Sequence, residues 1–202
     1  MKIQNPATVF FFGKSGCGKG TQATLLQKLL EQDGQTVLSV ETGKEFRTFA
    51  QTDNYSAHLT HDIMMRGDFM PAFMPVWIWA QRLIHDFTGT EALILDGLAR
   101  KIAEAPVLDS ALKFYGRHNI YVIYIDVSRE WSKKRLLERG RADDTPEKID
   151  HRLAAFEAEV PLVLEYFRER KGYAYIQVNG EQSVEQVHAE ILDGIENCSF
   201  VC

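Results

Sequence analysis

Cysteine is scarce in this chain. Its 202 residues include only Cys17, Cys198 and Cys202, and no Cys-x-x-Cys pair. That excludes a disulfide framework and argues against a structural zinc site. The six histidines supply no His-x-x-x-His pair or other ligand spacing, and read as structural or solvated. Basic charge is also short: 23 Lys and Arg against 28 Asp and Glu give a net charge of −5. No global field attracts nucleic acid, so any grip on a polyanion must be local. No apolar run approaches the ~20 residues of a membrane span. The opening MKIQNPATVFFFG is too short, and too soon interrupted by glycine, for a secretory signal. Repeats and low-complexity tracts are absent. What remains is ordinary globular composition, 45% apolar and 25% charged, and enough chain for one core. A reducing, cytoplasmic compartment is the expectation.

Five short apolar runs without alternation read as strands buried on both faces: 7–12, 36–40, 92–95, 120–127 and 173–178. Helical spacing separates them. In 21–31, Leu25, Leu26, Leu29 and Leu30 share a face, and Asp33-Gly34 stops the helix. Alternation of strand and helix predicts an α/β doubly wound parallel sheet of five strands, with right-handed crossovers. The segment 42–87 exceeds what a crossover needs. It reads as short helices broken near Thr52-Asp53-Asn54 and around Pro71 and Pro75. A polar patch rich in Arg and Asp, 138–146, separates two later helices. The tail from 197 is expected to be loosely held. Trp77, Trp79 and the run Phe10-Phe11-Phe12 read as packing.

One stretch stands out. GKSGCGKGT, residues 13–21, follows directly on VFFF. Gly13-x4-Gly18-Lys19 matches the Walker A spacing, with Gly20-Thr21 in place of an immediate Ser or Thr. Glycines permit positive φ and close backbone approach. Successive N–H groups then converge on phosphate oxygens at a helix N-terminus, and Lys19 adds a point charge. Strand, spacing and lysine together outweigh a plain glycine turn. Cys17 reads as a small filler rather than a reactive thiol.

GKSGCGKGTQA resembles the opening of adenylate kinases and related nucleoside monophosphate kinases, usually GxPGxGKGTQ. Four further motifs follow in the family's order. Thr42-Gly43-Lys44-Glu45-Phe46-Arg47 looks like TGDxLR. Gly67-Asp68-Phe69-Met70-Pro71 is similar to the glycine turn over the acceptor nucleotide. Asp96-Gly97-Leu98-Ala99-Arg100 resembles DGFPR. Arg139, Arg141, Asp143 and Asp144, with Arg152 beyond, resemble the arginines of the lid and the helix after it. The match spans about residues 7–195.

The resemblance implies a single P-loop kinase domain over 1–202, with a monophosphate-binding insertion (42–71) and a short lid (138–146). It implies transfer of the γ-phosphoryl of ATP to a nucleoside monophosphate, with Mg²⁺. ATP would meet Gly16, Cys17, Gly18, Lys19, Gly20, Thr21, Arg135 and Arg139, with Arg135 stacked on the donor adenine. The acceptor would meet Thr42, Arg47, Phe69, Met70, Gly97, Arg100, Glu104, Arg141 and Arg152. Lys19, Arg100, Arg139, Arg141 and Arg152 would form the catalytic set. Phosphoryl transfer asks mainly for in-line positioning and concentrated positive charge, and arginine's planar fork suits phosphate. Asp96, ending a buried strand where ligands bind in such sheets, would order water around Mg²⁺. Residue type and place alone also fit a helix N-cap for Asp96, and a solvated turn for Arg135, Arg139 and Arg141. The expected partners are nucleotides, without nucleic acid or membrane, and the expected state is a monomer. Competing readings are a P-loop kinase for another small acceptor, and a nucleotide-binding protein without turnover.

Four departures from the family pattern matter. Lys44 replaces Asp, removing a carboxylate near the metal waters and adding a cation near the phosphates. Leu98-Ala99 replaces Phe-Pro, where the family's proline commonly follows a cis bond. Alanine would need ~3–4 kcal/mol to hold cis, so a trans bond and a reshaped loop are predicted. Glu104 stands where adenylate kinases have Gln. An ionised carboxylate only accepts hydrogen bonds, which suits guanine's two donors better than the adenine of AMP, the acceptor that the resemblance implies. Glu104 turned to solvent, or a neighbour that changes the contact, is the equal alternative. Only Gly140 separates Arg139 from Arg141, so the lid is short and is expected to exclude water less completely.

Overall fold

The structure, a computed structural model, describes residues 6–141 and 144–201. Asp143 of the arginine motif and Cys202 of the tail lie outside the described residues. Five strands form one parallel sheet in the order β2-β3-β1-β4-β5. They are β1 (Thr8–Phe12), β2 (Val37–Glu41), β3 (Ala92–Asp96), β4 (Ile120–Asp126) and β5 (Tyr173–Asn179). Each lies within about a residue of its expected position. Helices cover both faces, which is why the central strands carry apolar residues on both sides. Along β1, Phe10 and Phe12 enter one core cluster, while Val9 and Phe11 enter the other. In β3, Leu93 and Leu95 join the first cluster and Ala92 and Ile94 the second.

Helices α1 (Lys19–Gln32) and α8 (Val184–Asn197) cover the second face. The first face is covered by α4 (Phe73–Asp86), α5 (Ala105–Phe114) and α7 (Pro146–Arg168). Two more helices, α2 (Thr42–Phe49) and α3 (Tyr55–Arg66), fill the long segment after β2, with α6 (Arg129–Arg139) leading to the arginine patch. The break at 52–54 is where α3 begins, capped by the Asn54 side chain on Ala57 N. The expected break at Pro75 is corrected: Pro75 sits in the first turn of α4, where its missing N–H has no intrahelical partner to lose. Trp79 is core at 2% exposure, as expected; Trp77 is 41% exposed, its ring edge-on to Phe49.

The far end of α7 is anchored by a buried carboxylate. Asp109 of α5 accepts from Tyr173 Oη at 3.0 Å, Arg170 at 2.7 Å and Lys113 at 3.0 Å. Burial works against its charge, yet these three donors win and hold its carboxyl below the usual range. Among the described residues, no helix is long and apolar enough to cross a membrane.

Candidate active site

The carboxyl ends of β1, β2 and β3 open into a cleft of about 1020 Å³. The first wall is the loop after β1. Gly13 has φ +149°, and a Cβ there would come within 2.6 Å of both Cys17 Sγ and Ile125 O. No other residue type fits without displacing β4. Gly18 caps α1 at φ +100° and offers no side chain, so the first-turn amides of α1 face the cleft unshielded. Lys19 Nζ donates to the carbonyls of Gly13 (2.7 Å) and Lys14 (3.0 Å), which folds the lysine along the loop.

The second wall comes from β2 and α2. Thr42 is buried, and its hydroxyl has no hydrogen-bond partner among the described residues. Arg47 pairs with Glu41 at 2.9 Å. Phe69 and Met70 follow the Gly67 turn. That turn is tight: Gly67 has φ +81°, and a Cβ on it would meet Lys148 O of α7 at 2.8 Å.

The floor is the end of β3. Asp96 is 8% exposed and accepts no hydrogen bond from any described residue. Burial pushes its carboxyl up; Lys19 and Arg100 pull against that, while Glu41 adds to it. Ala99 adopts φ +50°, a left-handed backbone rare for alanine, so the loop is reshaped as its sequence foretold. Arg100 turns back to donate to Gly97 O at 3.1 Å and lies 5.6 Å from the Phe69 ring centroid.

The third wall holds the later arginines. Asp144, its side chain wholly buried, accepts two bonds from Arg139 (2.8 and 2.9 Å) and one from Arg152 (3.2 Å). Burial would raise its carboxyl, but the two guanidiniums hold it below the usual range. One carboxylate thus gathers arginines from α6 and α7. Arg135 lies beside Trp131, 5.8 Å from the ring.

The residues assigned from the sequence to the ATP, acceptor and metal positions all line this cleft except Cys17, which is buried behind the loop. Lys44 is a correction: it is exposed on α2 and does not line the cleft. Glu104 is another. It is 1% exposed, and its Oε2 accepts from Arg100 N at 3.2 Å. Burial raises its carboxyl to about 7 against that hydrogen bond and the charge of Arg100, so the ionised state assumed from sequence is not the settled one. Sequence reasoning missed Glu41, and the Thr24, Leu25 and Lys28 face of α1, all on the cleft. The α1 face was legible as the i, i+3, i+4, i+7 continuation of Thr21. A glutamate at a strand end has no such signal.

A phosphate loop with eight basic side chains around one cleft narrows the chemistry to phosphate esters. The adenylate kinase family profile matches residues 11–172. The chain belongs to the adenylate kinase family. It is 31% identical over 190 residues to the adenylate kinase of Leuconostoc mesenteroides subsp. mesenteroides, covering 94% of this chain and 97% of that one. It is 30% identical to the adenylate kinase of Prochlorococcus marinus strain AS9601, over 91% and 95% of the two chains. Adenylate kinase 1 of Nostoc sp. is 28% identical over the same shares. Membership of the adenylate kinase family makes this chain a phosphotransferase acting on nucleotides.

Proposed function

We propose that the cleft transfers the γ-phosphoryl of ATP reversibly to a nucleoside monophosphate, with AMP the preferred acceptor. The observation behind this is that one cleft joins the phosphate loop to Arg47 and Arg100, with Arg139, Arg141 and Arg152 on its rim. The loop amides and Lys19 hold the donor phosphates, and Arg135 meets the donor base. Arg47 and Arg100 clamp the acceptor phosphate, and the unpartnered Thr42 hydroxyl faces the acceptor. The rim arginines neutralise charge as the phosphoryl moves. In this reading the insertion 42–71 and the short lid 138–146 are the moving parts. The reading includes a monomeric, cytoplasmic enzyme; the scarcity of cysteine supports the compartment.

Mg²⁺ fits the donor set in one way. Among the described residues no three His, Cys, Asp or Glu side chains gather to hold a metal. A lone buried carboxylate, Asp96, faces the cleft without a donor. That suits a hydrated ion carried in by phosphates, with Asp96 accepting from its waters. Bound there, the ion would supply charge neutralisation between the phosphates.

Glu104 supports adenine. A neutral carboxyl both donates and accepts, as an amide does, and so can donate to adenine N1 while accepting from the 6-amino group. With its carboxyl at about 7, the acid form is substantially present near neutrality. Above that, the carboxylate favours guanine's paired donors. Assaying Mg-ATP with AMP, GMP, CMP and UMP at pH 6 and 8.5 tests both points. AMP should lead at pH 6, and its lead over GMP should narrow by roughly tenfold at pH 8.5. No turnover with any monophosphate sinks the kinase reading; a ratio that ignores pH sinks the role of Glu104.

A further inference from the structure

Two carboxylates end adjacent strands on the floor of the cleft. Glu41 closes β2 and Asp96 closes β3, and the parallel register pairs them. Paired positions send their side chains to the same face of a sheet. Their surroundings differ sharply. Glu41 is 41% exposed at its side chain and holds Arg47 at 2.9 Å. Asp96 is nine-tenths buried, and its Oδ2 lies 3.8 Å from where a Cβ on Gly20 would stand, facing the start of α1. It accepts no hydrogen bond and closes no ion pair among the described residues. The cations whose charge it feels most are engaged elsewhere: Lys19 with the Gly13 and Lys14 carbonyls, Arg100 with the Gly97 carbonyl. A carboxylate this buried needs donors, and these must arrive with a ligand.

Arg47 bonds one of the two carboxylates, Glu41, and acts on the other, Asp96, through its charge. Its bond to Glu41 occupies one terminal nitrogen of the guanidinium on the cleft wall. A phosphate dianion there competes with a half-exposed carboxylate and wins on charge. Glu41 then loses its counter-ion beside an already unpartnered Asp96. Two neighbouring carboxylates in that state favour a cation between them.

We propose, building on the kinase reading above, that Glu41 is an exchanging counter-ion. It holds Arg47 while the acceptor position is empty. When the acceptor's phosphate takes Arg47, Glu41 turns to Asp96 and joins it in accepting from the waters of the divalent cation. Glu41 is thereby a positioning residue in one state and a partner of the cation's water shell in the other. Acceptor and cation must then bind cooperatively, and by the same factor in each direction.

The test measures Mn²⁺ affinity by electron paramagnetic resonance, on the protein saturated with β,γ-methylene ATP, with and without AMP. In the wild type, AMP should tighten Mn²⁺ about fivefold, and saturating Mn²⁺ should tighten AMP by the same factor. In Glu41→Gln, which keeps an oxygen for Arg47 but no charge for the cation, both factors should fall to about one. A wild type without tightening overturns the proposal whatever the variant does, and so does a variant that keeps it. Turnover of Mg-ATP with AMP by the same wild-type preparation, before the analogue is added, separates the two readings. Turnover without coupling removes the role of Glu41 alone; absence of both removes the kinase reading as well.

Discussion

The donor and acceptor halves of the cleft are built from different materials. The donor half is backbone: Gly13, Gly16 and Gly18 all take positive φ, and the amides that follow face outward. The acceptor half is side chain. Arg47 and Arg100 lie along its walls, each already tied to a protein oxygen, Glu41 in one case and the Gly97 carbonyl in the other. A backbone cradle tolerates change in the side chains it does not use, so Ser15 and Cys17 can stand in this loop. A side-chain clamp depends on its counter-ions, and Arg100 of that clamp follows directly on Leu98-Ala99 and donates its backbone N–H to Glu104.

Mutations should separate the halves, and the largest effect belongs to the lysine of the donor loop. Lys19→Met should lower kcat by roughly 10³-fold or more with an unchanged melting temperature, because a charge aimed at the transferring phosphoryl is lost. A coupled assay beside a thermal melt checks it, and full activity would mean that the phosphates bind elsewhere. On the acceptor side, Glu104 should show itself through pH. Its carboxyl is raised to about 7 in the folded chain, against an ordinary value of 4.5. The folded protein therefore keeps a proton that the unfolded chain has released. That stabilisation is complete below about 4.5 and is lost as pH rises through about 7. The stability of wild type relative to Glu104→Gln should fall by on the order of 2–3 kcal/mol between pH 4.5 and pH 8. Parallel melting curves across that range would contradict the buried acid. The smallest effect should come from Cys17→Ala. Turnover should stay within about threefold and stability within about 1 kcal/mol, since the thiol fills space behind the loop and its long 3.6 Å contact from Lys19 Nζ leaves the lysine's two carbonyl partners in place. A large loss of turnover would erase the distinction between the halves.

The same distinction explains what the sequence disclosed. The strands were legible because burial on both faces leaves uninterrupted apolar runs. Their ends were less so, because β2, β3 and β5 extend one residue further into polar Glu41, Asp96 and Asn179. The phosphate loop was plain because only glycine permits its backbone. The arginines and Asp144 could be found by spacing, but not that Asp144 is buried and gathers two of them, since its burial depends on how α6 and α7 meet. Glu104 could be located but its protonation could not, because that follows from the fold of the 97–104 turn around it. Pro75 misled because a proline that breaks a helix interior is harmless in a first turn.

Asp109 has a consequence for motion. Helix α7 has 23 residues, with Pro161 in its interior, and at ~1.5 Å per residue it runs about 35 Å. Its Arg168 end is moored through Arg170 to a carboxylate that also holds Lys113 and Tyr173. Its Pro146 end, the one that bears Arg152, meets the Gly67 corner through Lys148 O and through His151, which lies 3.1 Å from Arg66 O and 3.3 Å from Asp68, while Asp150 pairs with Arg129 and Lys133 of α6. A tilt of about 5° about the Asp109 mooring would carry the opposite tip by about 3 Å, and would strain the half-exposed His151 and Asp150 pairs before the buried Asp109 cluster.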